Sequence, residues 1–574
     1  MKTLLLTVFT AFLFYLLLIS WKPIITFTEF IGFEDSAAIA KGEAIFNQRC
    51  VGCHNFRQDG IGPQLGGLSS RVSTQWLKNF IKNPQKTIAS GDKRAQLLFK
   101  KYKTIMPSFS AMDEDELKSL IAFLNTQKQP VEALSKAGGT ALANPIPEAI
   151  KASNLVVGLK TITIIPPSGN QPPLARITKM GVQPGSNHLF IVDLRGKLYQ
   201  LLHNQPVVYM DMEQLKPAFI NKPGLATGFG SFAFHPDFAT NGLLYTTHAE
   251  AAKSAKADFA YADSIKVGVQ WVLTEWKVDH PSDTMFSGKN RELLRVNMVS
   301  VIHGMQEITF NPLARPGSED YGLLYMGVGE GGCVENGFPF LAHNTATVWG
   351  TVLRIDPTGT NSANGQYGIP KSNPFAPDKN SKRLKEIYAY GFRNPHRITW
   401  TSTGKMLVSN VGHGNIESVN LLQPGHDYGW PIREGTFSLD PHGNLNKIYP
   451  LPANDNVYTI TYPVAQFDHD EGKAISGGYE YTGTEVPQLK GKFLFGDIPS
   501  GRLFYFDIAD MKQGKQATIK EWKITVDGSA TTLKALCGSN RIDLHFGKDS
   551  KGEIYILTKA DGKVYKLVSA AISK

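Results

Sequence analysis

Cysteine is scarce in this chain, four in 574 residues, and the 60 lysines and arginines that outnumber 50 acidic residues, for a net charge of +10, are spread along its length. No aromatic and basic recognition motif accompanies that charge, which argues against nucleic acid as a partner and leaves an acidic partner or a membrane surface. Helical periodicity is rare beyond residue 156, so the larger part of the chain is not read as helical. After Lys2, the run from Leu4 to Trp21 lacks any charge. No small-x-small cleavage site follows it, so residues 1–33 are read as an uncleaved membrane anchor in preference to a signal peptide. The length is too great for one compact domain and calls for one small and one large module.

Two of the four cysteines fall within Cys50, Val51, Gly52, Cys53, His54. Thiols one helical turn apart capture two vinyl groups on a porphyrin edge as thioethers, and the histidine that follows faces the iron, so this is an attachment site for c-type haem. The bland alternative is a buried cysteine pair beside an unrelated histidine. Met106 is the expected sixth ligand, because Pro107 biases it to extended backbone and frees its thioether to lie across a haem face. Met112 competes with it. That residue precedes Asp113, which with Glu116 forms a capping box ahead of the apolar pattern Leu117, Leu120, Ile121, Leu124, and either methionine could simply fill a core gap. Cys333 and Cys537 are far apart, and the sequence does not say whether they pair.

Residues 36–127 read as a small all-α domain. Ser36 to Cys53, Trp76 to Lys82 and Asp113 to Asn125 carry apolar residues at helical spacing. Gly60, Ile61, Gly62, Pro63, Gln64, Leu65, Gly66 and Gly67 form a turn region that lets backbone approach a porphyrin edge. This order resembles that of class I cytochromes c. The resemblance implies haem c, with Cys50 and Cys53 as thioethers and His54 and Met106 on the iron. Attachment of this kind takes place on the outer side of a bacterial inner membrane, so the expected location is the periplasm, with the N-terminus anchored in that membrane.

Residues 128–155 read as a linker, marked by Pro130, Pro145, Pro147, Gly138 and Gly139. Residues 156–568 repeat weakly: glycine with a short apolar strand recurs at Leu189 to Asp193, Gly242 to Tyr245, Gly322 to Gly327, Gly404 to Ser409, Gly491 to Asp497 and Gly552 to Leu557. Six copies predict an all-β propeller of six blades, with a pair of β-sandwiches as the alternative. Leu159 to Ile165 alternates as its first strand. The expected fold is therefore multidomain, an N-terminal hydrophobic segment and a small α domain followed by a six-bladed propeller.

Within that part, Phe234 to Gly242, Gly350 to Asp356, Ile369 to Phe375, Ile387 to Pro395, Val411 to Asn420 and Tyr428 to Pro431 together resemble the soluble glucose dehydrogenase and sorbosone dehydrogenase type of quinoprotein. The resemblance implies pyrroloquinoline quinone (PQQ) at one mouth of the propeller. His303 would be the base that takes the sugar hydroxyl proton, and Arg393, Asn394 and Arg502 would hold the cofactor. Calcium would sit on the backbone carbonyls of Gly412 and His413. The chain departs from the pattern in three ways: paired glycines are missing after His303, Glu330 stands at the acidic position of the glycine turn 329–332, and the late basic cluster is reduced to Arg502, with Lys492 nearby.

Three readings of different class follow. The first is an oxidoreductase that oxidises a sugar or related alcohol with PQQ and passes electrons to its own haem and on to a respiratory or soluble acceptor; the fusion of the two modules favours it. The second is a calcium-dependent lactonase. The third is a non-catalytic propeller that binds carbohydrate or protein, for which the animal relatives of this propeller are a precedent.

Overall fold

The computed structural model describes residues 36–51, 53–57, 59–128, 139–222, 226–379 and 382–573. The expected anchor at residues 1–33 lies outside the described residues, and among these no helix is long and apolar enough to cross a membrane.

Five α-helices form the N-terminal unit: α1 Ser36–Arg49, α2 Thr74–Lys82, α3 Pro84–Ala89, α4 Lys93–Tyr102 and α5 Glu114–Thr126. Four of them start at a side chain that accepts a backbone N–H: Ser73, Asn83, Asp92 and Asp113. Each pairs one of the donors that a helix start leaves open. The capping box expected at α5 is half made. Asp113 accepts from the Glu116 N–H at 2.7 Å, but the Glu116 carboxylate holds Arg49 at 2.8 Å and so clamps the end of α1 to α5. Gly42 allows the two helices to cross closely, since a Cβ there would lie 1.9 Å from the Ser119 carbonyl oxygen. Helices α3 and α4 add to the three expected; Leu98, Phe99 and Tyr102 of α4 line a cavity, so their spacing records no helix-to-helix face.

The rest of the described chain forms six four-stranded blades in a ring, the last two joined into one nine-stranded sheet, with a small three-stranded sheet at residues 433–449 beside them. Blade one spans 177–211, blade two 229–298, blade three 307–390, blade four 395–468 and blade five 479–526; blade six joins 544–572 to the strand Lys151–Ile164. Each innermost strand lies beside that of the next blade, and the sixth returns to the first. The glycine-marked repeat corresponds to the second strand of every blade: Leu189–Asp193, Leu243–Glu250, Leu324–Val328, Met406–Asn410, Lys492–Gly496 and Ile554–Thr558. One expectation changes. The strand expected near Leu159 begins at Lys151, so the linker ends at 150. First in chain order, as expected, it is the outermost strand of the last blade. Its early, exposed half is held by parallel pairing with Lys520–Val526 of blade five, and its later half pairs antiparallel with Lys563–Ile572.

A buried charge triad plugs the bore. Lys179 Nζ lies 2.6 Å from Glu307 Oε1 and 3.1 Å from Ser231 Oγ. Arg397 donates to the other Glu307 oxygen and, at 2.9 Å, to the Thr178 carbonyl. These groups come from the inner strands of blades one to four, so the triad ties the ring across its centre. Glu307→Leu should leave two cations uncompensated and lower the unfolding free energy by about 3–5 kcal/mol, read as a lower denaturant midpoint. Replacing Lys179, Glu307 and Arg397 together with apolar residues should recover most of that loss.

Candidate functional site

Beyond α1 the backbone stays coiled: the Cys53 and His54 N–H groups both donate to the Cys50 carbonyl at 3.0 Å. This turn brings Cys50, Cys53 and His54 to the wall of a cavity of about 320 Å³. Met106 and Met112 line it too, but Met112 is buried in the core with Leu117 and Leu120, whereas Met106 is half-buried at the edge of that core. His54 Nδ1 is 2.8 Å from the Pro63 carbonyl, which requires the proton on Nδ1 and leaves Nε2 with its lone pair for a metal. Gly62 allows this approach, since a Cβ there would come within 2.5 Å of His54 Cε1. Two thiols, an oriented imidazole and a thioether on one apolar cavity are a donor set that fits covalent haem.

At one end of the propeller the loops between strands gather a second set of groups. His303 has a positive φ of 52° and is gripped by the glycine turn 329–332. The Gly331 N–H donates to its carbonyl at 3.2 Å, and a Cβ on Gly329 would come within 2.2 Å of the same oxygen. Glu330 Oε1 lies 2.9 Å from His303 Nδ1. Burial and the nearby Arg393 push the imidazole down to about 4, so it is neutral at neutral pH. Burial opposes ionisation of Glu330, but His303, Arg393 and the Val334 N–H hold its carboxyl below the ordinary value. With Nδ1 donating to a carboxylate, Nε2 is left as an acceptor, the arrangement of an oriented general base.

Arg393 donates through Nη1 to the Gly412 carbonyl and lies 3.7 Å from Glu335 through Nη2; its Nε has no partner among the described residues. The N–H groups of Arg393 and Asn394 both donate to Asn410 Oδ1, at 3.2 and 3.0 Å, which fixes the turn. Below lie His396 and His545, with ring centroids 5.5 Å apart. His396 Nε2 and both His545 nitrogens lack partners among the described residues, and buried Lys559, pushed down to about 8 by burial, stands near both rings. Unpaired buried donors around one mouth suit an anionic, planar guest such as PQQ.

Two expected roles do not fit this geometry. Arg502 has all three guanidinium nitrogens occupied, by Glu521 at 3.0 and 2.8 Å and by Glu471 at 2.7 Å, so its fork is not open to a cofactor. The Gly412 carbonyl is turned into the Arg393 guanidinium, beside the buried His413 imidazole. The carboxyls nearby, Glu335 and Glu417, are pushed up to about 7 and about 8 by burial. A carbonyl facing a fixed cation, beside carboxyls whose ionisation burial opposes, does not fit calcium. Cys333 and Cys537 are both free thiols. Sequence reading missed Glu335, His396, His545, Lys559 and Arg541. Glu335 comes from blade three, His396 from blade four and the other three from blade six and the loop leading into it, and none lies in a motif.

The helical unit covers this mouth. A Cβ on Gly337 would come within 2.2 Å of Arg57 Nη1, so the Arg57 side chain of the helical unit lies against this propeller loop. The Asn446 amide, in its hydrogen-bonding orientation, holds both Asp59 backbone groups at 2.8 and 2.9 Å. Lys103 pairs with Asp470 at 2.9 Å and Lys266 with Glu43. Arg541, from the loop leading into blade six, lines the same cavity as Cys50, Cys53 and His54.

Fold and site thus define a cytochrome-like helical unit seated on a six-bladed propeller that carries a buried, hydrogen-bonded pair of histidine and glutamate. Glucose / Sorbosone dehydrogenase matches residues 179–566, and Cytochrome c matches residues 39–128. The chain belongs to the glucose/sorbosone dehydrogenase family, with a cytochrome c domain ahead of the propeller. It is 26% identical to the HIPL1 protein of Arabidopsis thaliana over 59% of this chain and 53% of that protein. It is 25% identical to quinoprotein glucose dehydrogenase B of Acinetobacter calcoaceticus over 55% and 64% of the respective chains, and 25% identical to human Hedgehog-interacting protein over 67% and 49%. The chain therefore spans about half the length of HIPL1 and of Hedgehog-interacting protein. A solved structure, the PQQ-bound aldose sugar dehydrogenase of Streptomyces coelicolor, aligns with a TM-score of 0.47 at 19% identity, over 74% of this chain and 100% of that one.

Replacing Cys50 and Cys53 together with serine should leave the haem extractable into acidified organic solvent, whereas in the unaltered protein it should stay with the polypeptide.

Proposed function

We propose that this protein oxidises a sugar or related alcohol at the propeller mouth and passes the electrons to haem c in its own N-terminal domain. The observation that carries this reading is the His303 and Glu330 pair, a neutral imidazole with a free Nε2 buried under the domain that holds the haem crevice. Oxidation of an alcohol removes a proton from oxygen and a hydride from carbon. His303 Nε2 takes the proton, and Glu330 keeps the imidazole in the tautomer that can do so and stabilises the imidazolium that results. Bound in the mouth, PQQ would supply the two-electron acceptor for the hydride, and the haem would carry the electrons onward singly. Arg393, His396, His545 and Lys559 are the groups available to hold the anionic cofactor, and Asn394 shapes the turn that presents Arg393.

The same reading places the protein in the periplasm, held at the inner membrane by residues 1–33, with a small-molecule substrate and a respiratory or soluble electron acceptor as its partners. A non-catalytic binding role is the alternative, favoured by the kinship with Hedgehog-interacting protein. The buried base and the cytochrome weigh against it, since neither is needed for binding alone.

Haem-loaded protein mixed with PQQ and a panel of sugars and alcohols should show substrate-dependent appearance of the reduced haem spectrum. His303→Ala should slow that reduction by about 10²–10⁴-fold, with Glu330→Gln intermediate and the haem spectrum of both unchanged. Reduction undiminished in His303→Ala would remove the assigned base; no reduction by any substrate, with PQQ failing to bind, would leave the binding role. Because only the neutral imidazole accepts a proton, the rate should hold steady as pH falls from 7 toward 5 and drop as it passes through about 4.

A further inference from the structure

One residue of the propeller belongs to both halves of the molecule. Arg541 reaches out of the loop leading into blade six and forms part of the wall of the haem crevice, with its guanidinium beside the Cys53 thiol. Its side chain is 17% exposed and pairs with Asp543 through Nε at 2.9 Å; Nη1 has no partner among the described residues. Arg176 and Lys559 stand close by, together with the carboxylates of Asp543 and Asp193. Most of the crevice wall is apolar, although Asp59 and Lys101 also line it, so solvent screens the Arg541 charge only in part.

We propose that Arg541 sets the reduction potential of the haem from the propeller side, making the cytochrome a better electron acceptor when it is docked on the mouth. A guanidinium is charged at every working pH and cannot lose its proton to relieve the field it exerts. The haem gains one electron on going from Fe(III) to Fe(II), and a fixed cation at the thioether edge stabilises the reduced form. The effect is larger in a buried, low-dielectric setting than in water. Asp543 offsets part of that cation. The two side chains therefore pull the potential in opposite directions although they form a single pair. With haem held by Cys50, Cys53 and His54, Arg541 would stand beside it on the side facing the propeller, so the residue would act on the acceptor and not on the substrate. This inference rests on the haem half of the proposed function and is independent of the quinone.

The test is an optical redox titration of the full-length, haem-loaded protein. At a fixed ambient potential, Arg541→Gln should lower the Fe(II) to Fe(III) ratio about tenfold, equivalent to about 59 mV for one electron. Arg541→Lys should keep most of the unaltered value. Asp543→Asn should raise the ratio. A purely structural role for the pair would loosen the crevice in both variants and move them in the same direction, which would overturn the proposal, as would an Arg541→Gln protein with an unmoved potential. If the unaltered protein carries no covalent haem, it is the cytochrome reading that fails, and the spectrum reports that separately.

Discussion

The arrangement depends on how the ring is closed. Lys151–Ile164 lies between Lys563–Ile572 of its own blade and Lys520–Val526 of the blade before it, so one strand both completes the last blade and joins it to its neighbour. A propeller leaves exposed edges unless its ends are paired, and here the pairing strand is the first after the helical unit. The segment leading to that strand is itself tied down: the Leu142 N–H donates to the Ile448 carbonyl and the Ile146 N–H to Asp468 Oδ2. Closing the ring therefore also limits where the cytochrome domain can sit, and it sits over the mouth.

Covering the mouth changes the chemistry beneath it. In an open cleft, His303 would titrate near its ordinary value and be partly protonated at mildly acidic pH. Buried beside Arg393, it stays neutral, and Glu330 stays ionised because three donors face it. At Glu335 and Glu417 burial outweighs the partners, Arg393 beside the first and the Gly412 and Ile475 N–H groups on the second, and pushes both carboxyls up to about 7 and about 8. The same low dielectric thus sorts neighbouring groups into a base, a charged orienter and neutral carboxyls, according to what each one touches. A group that accepts a proton in this setting needs its counter-charge close by, and Glu330 supplies it at hydrogen-bond distance.

Much of this was legible in the sequence where the signal is local. The Cys50 to His54 segment, the glycine turn before Leu65, the cap of α5 and the second strand of every blade are short patterns whose physics is complete within a few residues. Glu330 was visible as a departure from the family pattern, but its meaning was not: only the folded turn shows that its longer side chain reaches Nδ1 of His303. His396, His545, Lys559 and Arg541 left no trace, because their neighbours in space come from other blades and the propeller periodicity does not say which loops meet. Arg502 illustrates the reverse error. Its position late in the chain matches the family's basic cluster, yet Glu471 and Glu521 claim its guanidinium. Helix α4 was missed because its apolar face is turned to a cofactor cavity, and hydrophobic spacing records protein contacts, not cofactor contacts.

The fusion is more than two modules on one chain, because the mouth and the haem crevice share a wall. Two-electron oxidation of an alcohol needs an outlet that takes electrons one at a time, and the rate of that outlet depends on distance and on driving force. Seating the crevice on the mouth shortens the distance. As proposed, the Arg541 guanidinium of the propeller, only partly offset by Asp543, would act on the driving force while the domains are docked. The contacts that hold the domains together, Lys103 with Asp470, Lys266 with Glu43 and Asn446 with the Asp59 backbone, therefore influence electron flow as well as assembly. On this view the domain that excludes water from His303 is the same domain that removes the electrons, so closure and electron transfer depend on a single docked state.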